Sequence, residues 1–352
     1  MLPNDQELPS SASPLAVGTK LRHYIVVLRV KLMQFWLVFR LKSIELWISC
    51  FRFAKSLSFR SLPANRVRKS STKNLAFPLL HLKWHGFTKY IYIALISWEN
   101  GLVYRLNFIM WRVRMVISLL TFYYLWSAVT VSSSEILSYN QSSILTYVIV
   151  GWLVGNIVRS SRSIDAQGEI ASGDLNNFLV KPLNYFLYWA SRDISDKLLN
   201  IFFSIFELIA FYFIAKPPLL LPQHLFGWAS FIISLALSLI LYFFFSFVIS
   251  MTTFWYYQGG GWAQRFLVFT LIGSLGGTLF PLDMLPKTIY QLINLLPTAY
   301  FTYFPTEIYL NRLSTTQFII GIGTQIFWTI TLYLLAKTLW RRGLKVYGAY
   351  GR

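Results

Sequence analysis

Glu169, Ser172, Gly173 and Asp174, followed by Lys181 and Pro182, are the residues of this chain whose types and spacing best suit docking chemistry. Two carboxylates five residues apart can accept charge-assisted hydrogen bonds from Arg or Lys on another surface, which are about twice as strong as neutral ones. Gly173 permits a turn or a close backbone approach, and Pro182 ends any helix that reaches it. The plainer reading of the same residues is a solvated loop with capping carboxylates. Glu207 is the second candidate, an acidic residue inside an otherwise uncharged run. Ionisable groups at such positions are rare and mark pathways, unless they pair with a polar group on a neighbouring helix. His81 and His85 have the i, i+4 spacing of a zinc helix, but neither the intervening Glu nor a third ligand accompanies them. No metal, cofactor or catalytic constellation is read from the sequence, and no G-x-x-x-x-G-K-[ST] phosphate loop is present; Gly18-Thr19-Lys20 lacks the preceding glycine.

The elements that must hold these residues are membrane helices. Of the 352 residues, 55% are hydrophobic, 18% aromatic and 13% charged, against about 25% charged in a soluble domain. The single cysteine, Cys50, excludes an internal disulfide. A net charge of +19 raises the question of nucleic acid, but residues 1–106 hold 16 of the 32 Lys and Arg and only 4 of the 13 acids. Such a load beside membrane segments is explained by cytoplasmic retention and anionic lipid headgroups, and no nucleic-acid motif accompanies it.

Charge-free runs place six spans near 112–134, 138–160, 197–215, 226–252, 263–281 and 314–337, since each crossing needs about 20 apolar residues. Gln258-Gly259-Gly260-Gly261 reads as a turn between the fourth and fifth. Between spans two and three lie Arg159, Arg162, Lys181, Arg192 and Lys197, and the tail carries Lys337, Arg341, Arg342, Lys345 and Arg352. Both are therefore expected inside, with both termini cytoplasmic. Residues 288–306 are apolar, but Pro297 and Pro305 break them. They read as short re-entrant helices dipping from the outer face, a form tolerated only under cover of protein or a cavity. Asp283 and Lys287, one turn apart, read as a local cap and ion pair. Trp126, Trp228, Tyr300, Tyr303 and Trp340 fall near span ends as interfacial aromatics.

Three ordered stretches carry a resemblance. The first runs from Ile164-Asp165-Ala166-Gln167-Gly168-Glu169 through Ser172-Gly173-Asp174-Leu175 to Lys181-Pro182 and Ser191-Arg192-Asp193. The second is Phe280-Pro281-Leu282-Asp283-Met284-Leu285-Pro286, with Pro297 and Tyr303-Phe304-Pro305 downstream. The third is the tail Trp340-Arg341-Arg342-Gly343-Leu344-Lys345-Val346-Tyr347. Together they resemble the ABC type-2 exporter permeases over about residues 88–352. The resemblance implies an all-α integral membrane permease of six spans in the cell inner (plasma) membrane. It further implies a cytoplasmic interface helix over 87–107, in which Ile91, Ala94, Leu95 and Trp98 recur at helical spacing. The 164–196 element becomes the coupling helix, which docks on a separate ATP-binding subunit holding ATP and Mg. A second permease copy or paralogue completes the pathway. Arg112 and Arg114 depart from the apolar start usual for span one. The rival readings are an integral membrane enzyme acting on a lipid-linked substrate, or a passive channel; substrate is not legible in the sequence.

Residues 1–86 stand outside the resemblance. Their basic residues fall on opposite sides of a helical wheel, and the longest charge-free run between 24 and 53 is 32–39, too short to cross. They read as a flexible basic extension. An organelle-targeting segment or a start codon assigned too far upstream accounts for it, the second being favoured, and deletion of 1–80 is expected to leave insertion and partner binding intact.

Overall fold

In the computed structural model, residues 87–348 are described apart from 104, 133–134, 137–138, 257–265, 267–271 and 274, and they fall within a unit spanning Leu79–Arg352. The N-terminal extension, His81, His85, the glycine turn at 259–261 and about half of the expected fifth span lie outside the described residues.

Helices α1 (Thr88–Val103) and α2 (Arg105–Ser132) open the described chain. A two-stranded pairing of Glu135–Ile136 with Tyr139–Asn140 follows. Helix α3 (Gln141–Arg159) starts where the Asn140 side chain accepts from the Ser143 N–H at 2.8 Å, satisfying one of the donors a helix start leaves open. A 3-10 turn, Arg162–Asp165, leads into α4 (Ala166–Ala171) and α5 (Asn176–Leu179). Asn184 then caps α6 (Tyr185–Ala215). Next come α7 (Leu225–Met251), α8 (Lys287–Asn294), α9 (Tyr303–Tyr309) and α10 (Thr315–Val346). A Ser314/Gln317 capping box opens α10.

Among the described residues, five helical stretches are long and apolar enough to cross a membrane: Phe108–Thr130, Gln141–Ala171, Tyr185–Ala215, Leu225–Phe254 and Thr315–Val346. The second is the hub, with 78% of its apolar window buried in protein against at most 39% in the others. The exposed faces of the rest are apolar: Ile232, Ile233 and Ile240 on α7, Ile319, Ile320 and Phe327 on α10. The inward faces of α7 and α10 also carry small and polar residues. On α7, Ser230, Ser234, Ser238, Ser246 and Ser250 are all buried, one helical turn apart except where Tyr242 takes a place. Small residues let helix backbones approach where lipid gives no hydrophobic drive to associate. The hydroxyls are used: Ser238 Oγ donates to the Tyr300 carbonyl at 2.8 Å, Ser250 Oγ to the Ser163 carbonyl at 3.0 Å. Gln325 on α10 closes the set through Ser234, Ser238 and the Tyr300 carbonyl.

Two helix starts differ from the charge-based reading. Helix α6 begins at Tyr185, well before 197, because Asp193, Asp196 and Lys197 are not solvated flanks: Asp193 pairs with Lys197 and Asp196 with Arg162. Helix α2 already runs at Arg105, since Arg112 is buried against α6. The 282–309 segment is broken, as Pro297 and Pro305 dictate. Pro297 opens a 3-10 turn and Pro305 sits in the first turn of α9, where its missing N–H has no intrahelical partner to lose.

Candidate functional site

The six residues of the docking set lie on one short excursion between α3 and α6. Its underside is apolar and fixed: Ala166, Ile170 and Leu175 are buried in a cluster with Tyr185, Trp189, Phe247, Met251 and Phe254. Its outer side is exposed at Ser172, Asp174, Asn176, Asn177, Lys181 and Pro182, with Leu179 49% and Val180 83% accessible. Gly173 makes the turn with φ +78°, a left-handed conformation that a side chain disfavours. Ser172 Oγ donates to Asp174 at 2.7 Å, shaping the tip.

Glu169 behaves differently from Asp174. It accepts from the Tyr185 hydroxyl at 3.1 Å and pairs with Arg192 at 3.4 Å, so it braces α4 against α6. The Arg192 guanidinium in turn lies over the Trp189 ring at 4.4 Å. Lys181 reaches the Phe178 ring at 5.5 Å. Two bonds tie the excursion to α1: Lys89 Nζ donates to the Pro182 carbonyl at 2.7 Å, and the Asn184 N–H donates to the Tyr90 hydroxyl at 3.0 Å. A push on the tip therefore reaches α1, α3 and α6 together.

Glu207 is not alone in its helix. Arg112 Nε donates to it at 2.6 Å, and the rest of that guanidinium reaches Asn200 at 2.9 Å and Ser204 at 3.2 Å. Asn156 of α3 donates to the same Ser204 hydroxyl at 2.7 Å. Three helices thus share one polar knot, and Arg112 is 2% accessible. The sequence reading noted Arg112 only as an exception; its distance from Glu207 along the chain hid the pairing.

The opposite end of α3 carries a second charged cluster. Phe280 and Pro281 lead into a 3-10 turn at Leu282–Met284, and Pro286 precedes α8. Asp283 does not pair with Lys287 or cap α8, as its spacing suggests. It faces away from that helix, accepting from the Tyr139 hydroxyl at 3.0 Å and pairing with Arg312 at 3.3 Å. The same tyrosine donates to Glu307 at 2.8 Å, and Arg312 lies 3.5 Å over its ring. Burial pushes the Glu307 carboxyl up to about 7, with Asp283 adding and Tyr139 and Arg312 opposing. Glu307 is not singled out by the sequence, although it lies two residues after the Tyr303-Phe304-Pro305 stretch and precedes Arg312 by only five. Above this cluster Gly277, at φ +71°, lets the chain pass with Tyr147 donating to its carbonyl; a Cβ there would sit 2.7 Å from that of Tyr303.

A family model described as an ABC-2 family transporter protein matches residues 115–351. No individual curated protein matches the chain. The match takes in α3, the excursion at 162–182, the 276–312 segment and α10, the parts of a multi-pass membrane transport subunit. The chain belongs to the ABC-2 transporter permease family.

Proposed function

We propose that this permease forms the translocation pathway of an ATP-driven exporter, and that Ser172, Gly173, Asp174, Lys181 and Pro182 form its contact with a separate ATP-binding subunit. Glu169 supports that contact from behind. ATP and Mg belong to the partner, and a second permease copy or paralogue completes the pathway. The observation that carries the reading is the two-sided build of the 162–182 excursion. Its underside is locked into the helix bundle, while its tip offers an exposed carboxylate beside exposed Leu179 and Val180. Apolar contact with a charged edge is what a docking knob needs, and the rigid underside turns partner motion into helix motion. Closure of the ATPases would tilt α3 and α6 together, giving alternating access. In this reading the excursion and the tail lie on the cytoplasmic side, which their Lys and Arg support, in the inner (plasma) membrane, with α8 and α9 dipping from the outer face. In this reading Glu207 meets the pathway only when α2 and α6 part, because Arg112 covers it.

The test is purification of the chain from its native membrane in mild detergent, with mass spectrometry for an ATP-binding subunit. Wild type is compared with Asp174→Lys plus Val180→Asp, both at exposed positions. Retention by wild type and loss in the variant is the expected result. Retention by both would remove the coupling assignment, and absence of any ATPase from wild type under several gentle conditions would sink the exporter reading.

A further inference from the structure

A cleft of about 570 Å³ opens between α1, α2, the end of α3 and α6, within the range of about 300–1,000 Å³ typical of small-molecule sites. Its lining includes Asn100, Phe108, Trp111, Arg159 and Arg162. The two arginines are not equivalent. Arg162 is neutralised by Asp196. Arg159 donates to the Thr278 hydroxyl at 2.7 Å, and among the described residues no carboxylate forms an ion pair with it. Its side chain folds back over Gly155, where a Cβ would stand 2.9 Å from the guanidinium; the glycine keeps that space clear. A charge taken into a bundle is costly unless paired. Here the missing partner is an anion, and two aromatic rings, Phe108 and Trp111, line the cleft together with Leu199 and polar Asn100 and Asn200.

We propose that this cleft binds a phospholipid, its phosphate on the Arg159 guanidinium and its acyl chains along Phe108 and Trp111. A guanidinium fork matches a phosphate in shape and charge, and α1 and α2, which line the cleft, carry exposed apolar residues, among them Leu95, Ile96 and Met110. The site uses none of the exposed tip residues and holds whether or not an ATPase docks.

The test uses the full chain in detergent. Bound phospholipid is counted by native mass spectrometry, before and after delipidation and re-addition of phosphatidylglycerol, diacylglycerol or glycerol phosphate. Rebinding of the phospholipid only is expected, with retention lowered about fivefold in Arg159→Gln, the weight of one basic side chain at a phosphate surface. Arg159→Lys should recover part of it, and Arg341→Gln, at an exposed position in α10, should change nothing. A photoactivatable phospholipid on wild type should label peptides containing Phe108 or Trp111, which keeps the question open to decision if Arg159→Gln does not fold. Equal displacement by glycerol phosphate would mean a free-anion site. Equal retention in Arg159→Gln, or labelling spread over all spans, would overturn the proposal. Because no ATPase enters the assay, its failure leaves the exporter reading standing, and the reverse also holds.

Discussion

The two ends of α3 both gather charge, yet they spend it in opposite ways. At the Gln141 end, Tyr139, Asp283, Glu307 and Arg312 close on one another, with Glu307 only 2% accessible. At the Arg159 end, Asp193, Asp196 and Glu169 are likewise bound to Lys197, Arg162 and Arg192, but a turn beyond them Asp174 and Lys181 are left at the surface. A buried ion pair holds the fold. Asp174, although it accepts from Ser172 Oγ, sits exposed on a rigid turn. The difference separates residues whose loss should unfold the protein from residues whose loss should only uncouple it.

The strongest way to break that comparison is at the buried knot. Arg112→Ala leaves Glu207 without its partner and should cost about 3–5 kcal/mol, read as loss of folded material in size-exclusion profiles. Arg112→Met with Glu207→Leu should restore most of it, because the pair's desolvation is then removed along with its attraction. If the single and double variants are equally poor, the knot is not the cause.

A smaller effect is expected at the Gln141 end. Burial raises the Glu307 carboxyl to about 7, so the folded protein holds a proton there that the unfolded chain releases near its ordinary value. The resulting stabilisation is complete below about pH 4.5 and is lost as pH rises through about 7. Detergent melting temperature should therefore fall from about pH 5 to 8, and Glu307→Gln should flatten the slope. An unchanged slope would show that Glu307 is not the group.

Smaller again is the tie between α1 and the excursion. Tyr90→Phe removes the hydroxyl that accepts from the Asn184 N–H, a bond worth about 1 kcal/mol. It should lower ATPase stimulation by the permease more than it lowers melting temperature. The reverse ordering would make α1 a mere support. Smallest in stability is Asp174→Lys, expected within about 0.5 kcal/mol of wild type while partner retention falls.

Much of this division was legible in the sequence, and the illegible part has a common cause. Charge-free runs locate helices such as 141–159 and 225–251, because an unpaired charge in lipid is expensive. The rule fails where a charge is paired across helices. Arg112 with Glu207, Asp196 with Arg162 and Asp283 with Arg312 join residues far apart in the chain, and no local pattern announces them. The turn at 172–174 is legible as a turn because its parts are local: a glycine, which takes the left-handed position, and a proline a few residues on. What the sequence did not reveal is that Glu169 faces inward to Tyr185 and Arg192 while Asp174 faces out.

The central claim is that the exposed turn at the Arg159 end, and not the closed cluster at the Gln141 end, meets the ATP-binding subunit. Site-directed cross-linking in a Cys50→Ala background tests it most directly, with single cysteines introduced by Asp174→Cys, Val180→Cys or, at the other end, Leu292→Cys, in native membranes. Positions 174 and 180 should give a product containing the ATPase, and position 292 none. A product at 292, or none at 174 and 180 with the complex intact, would contradict the account.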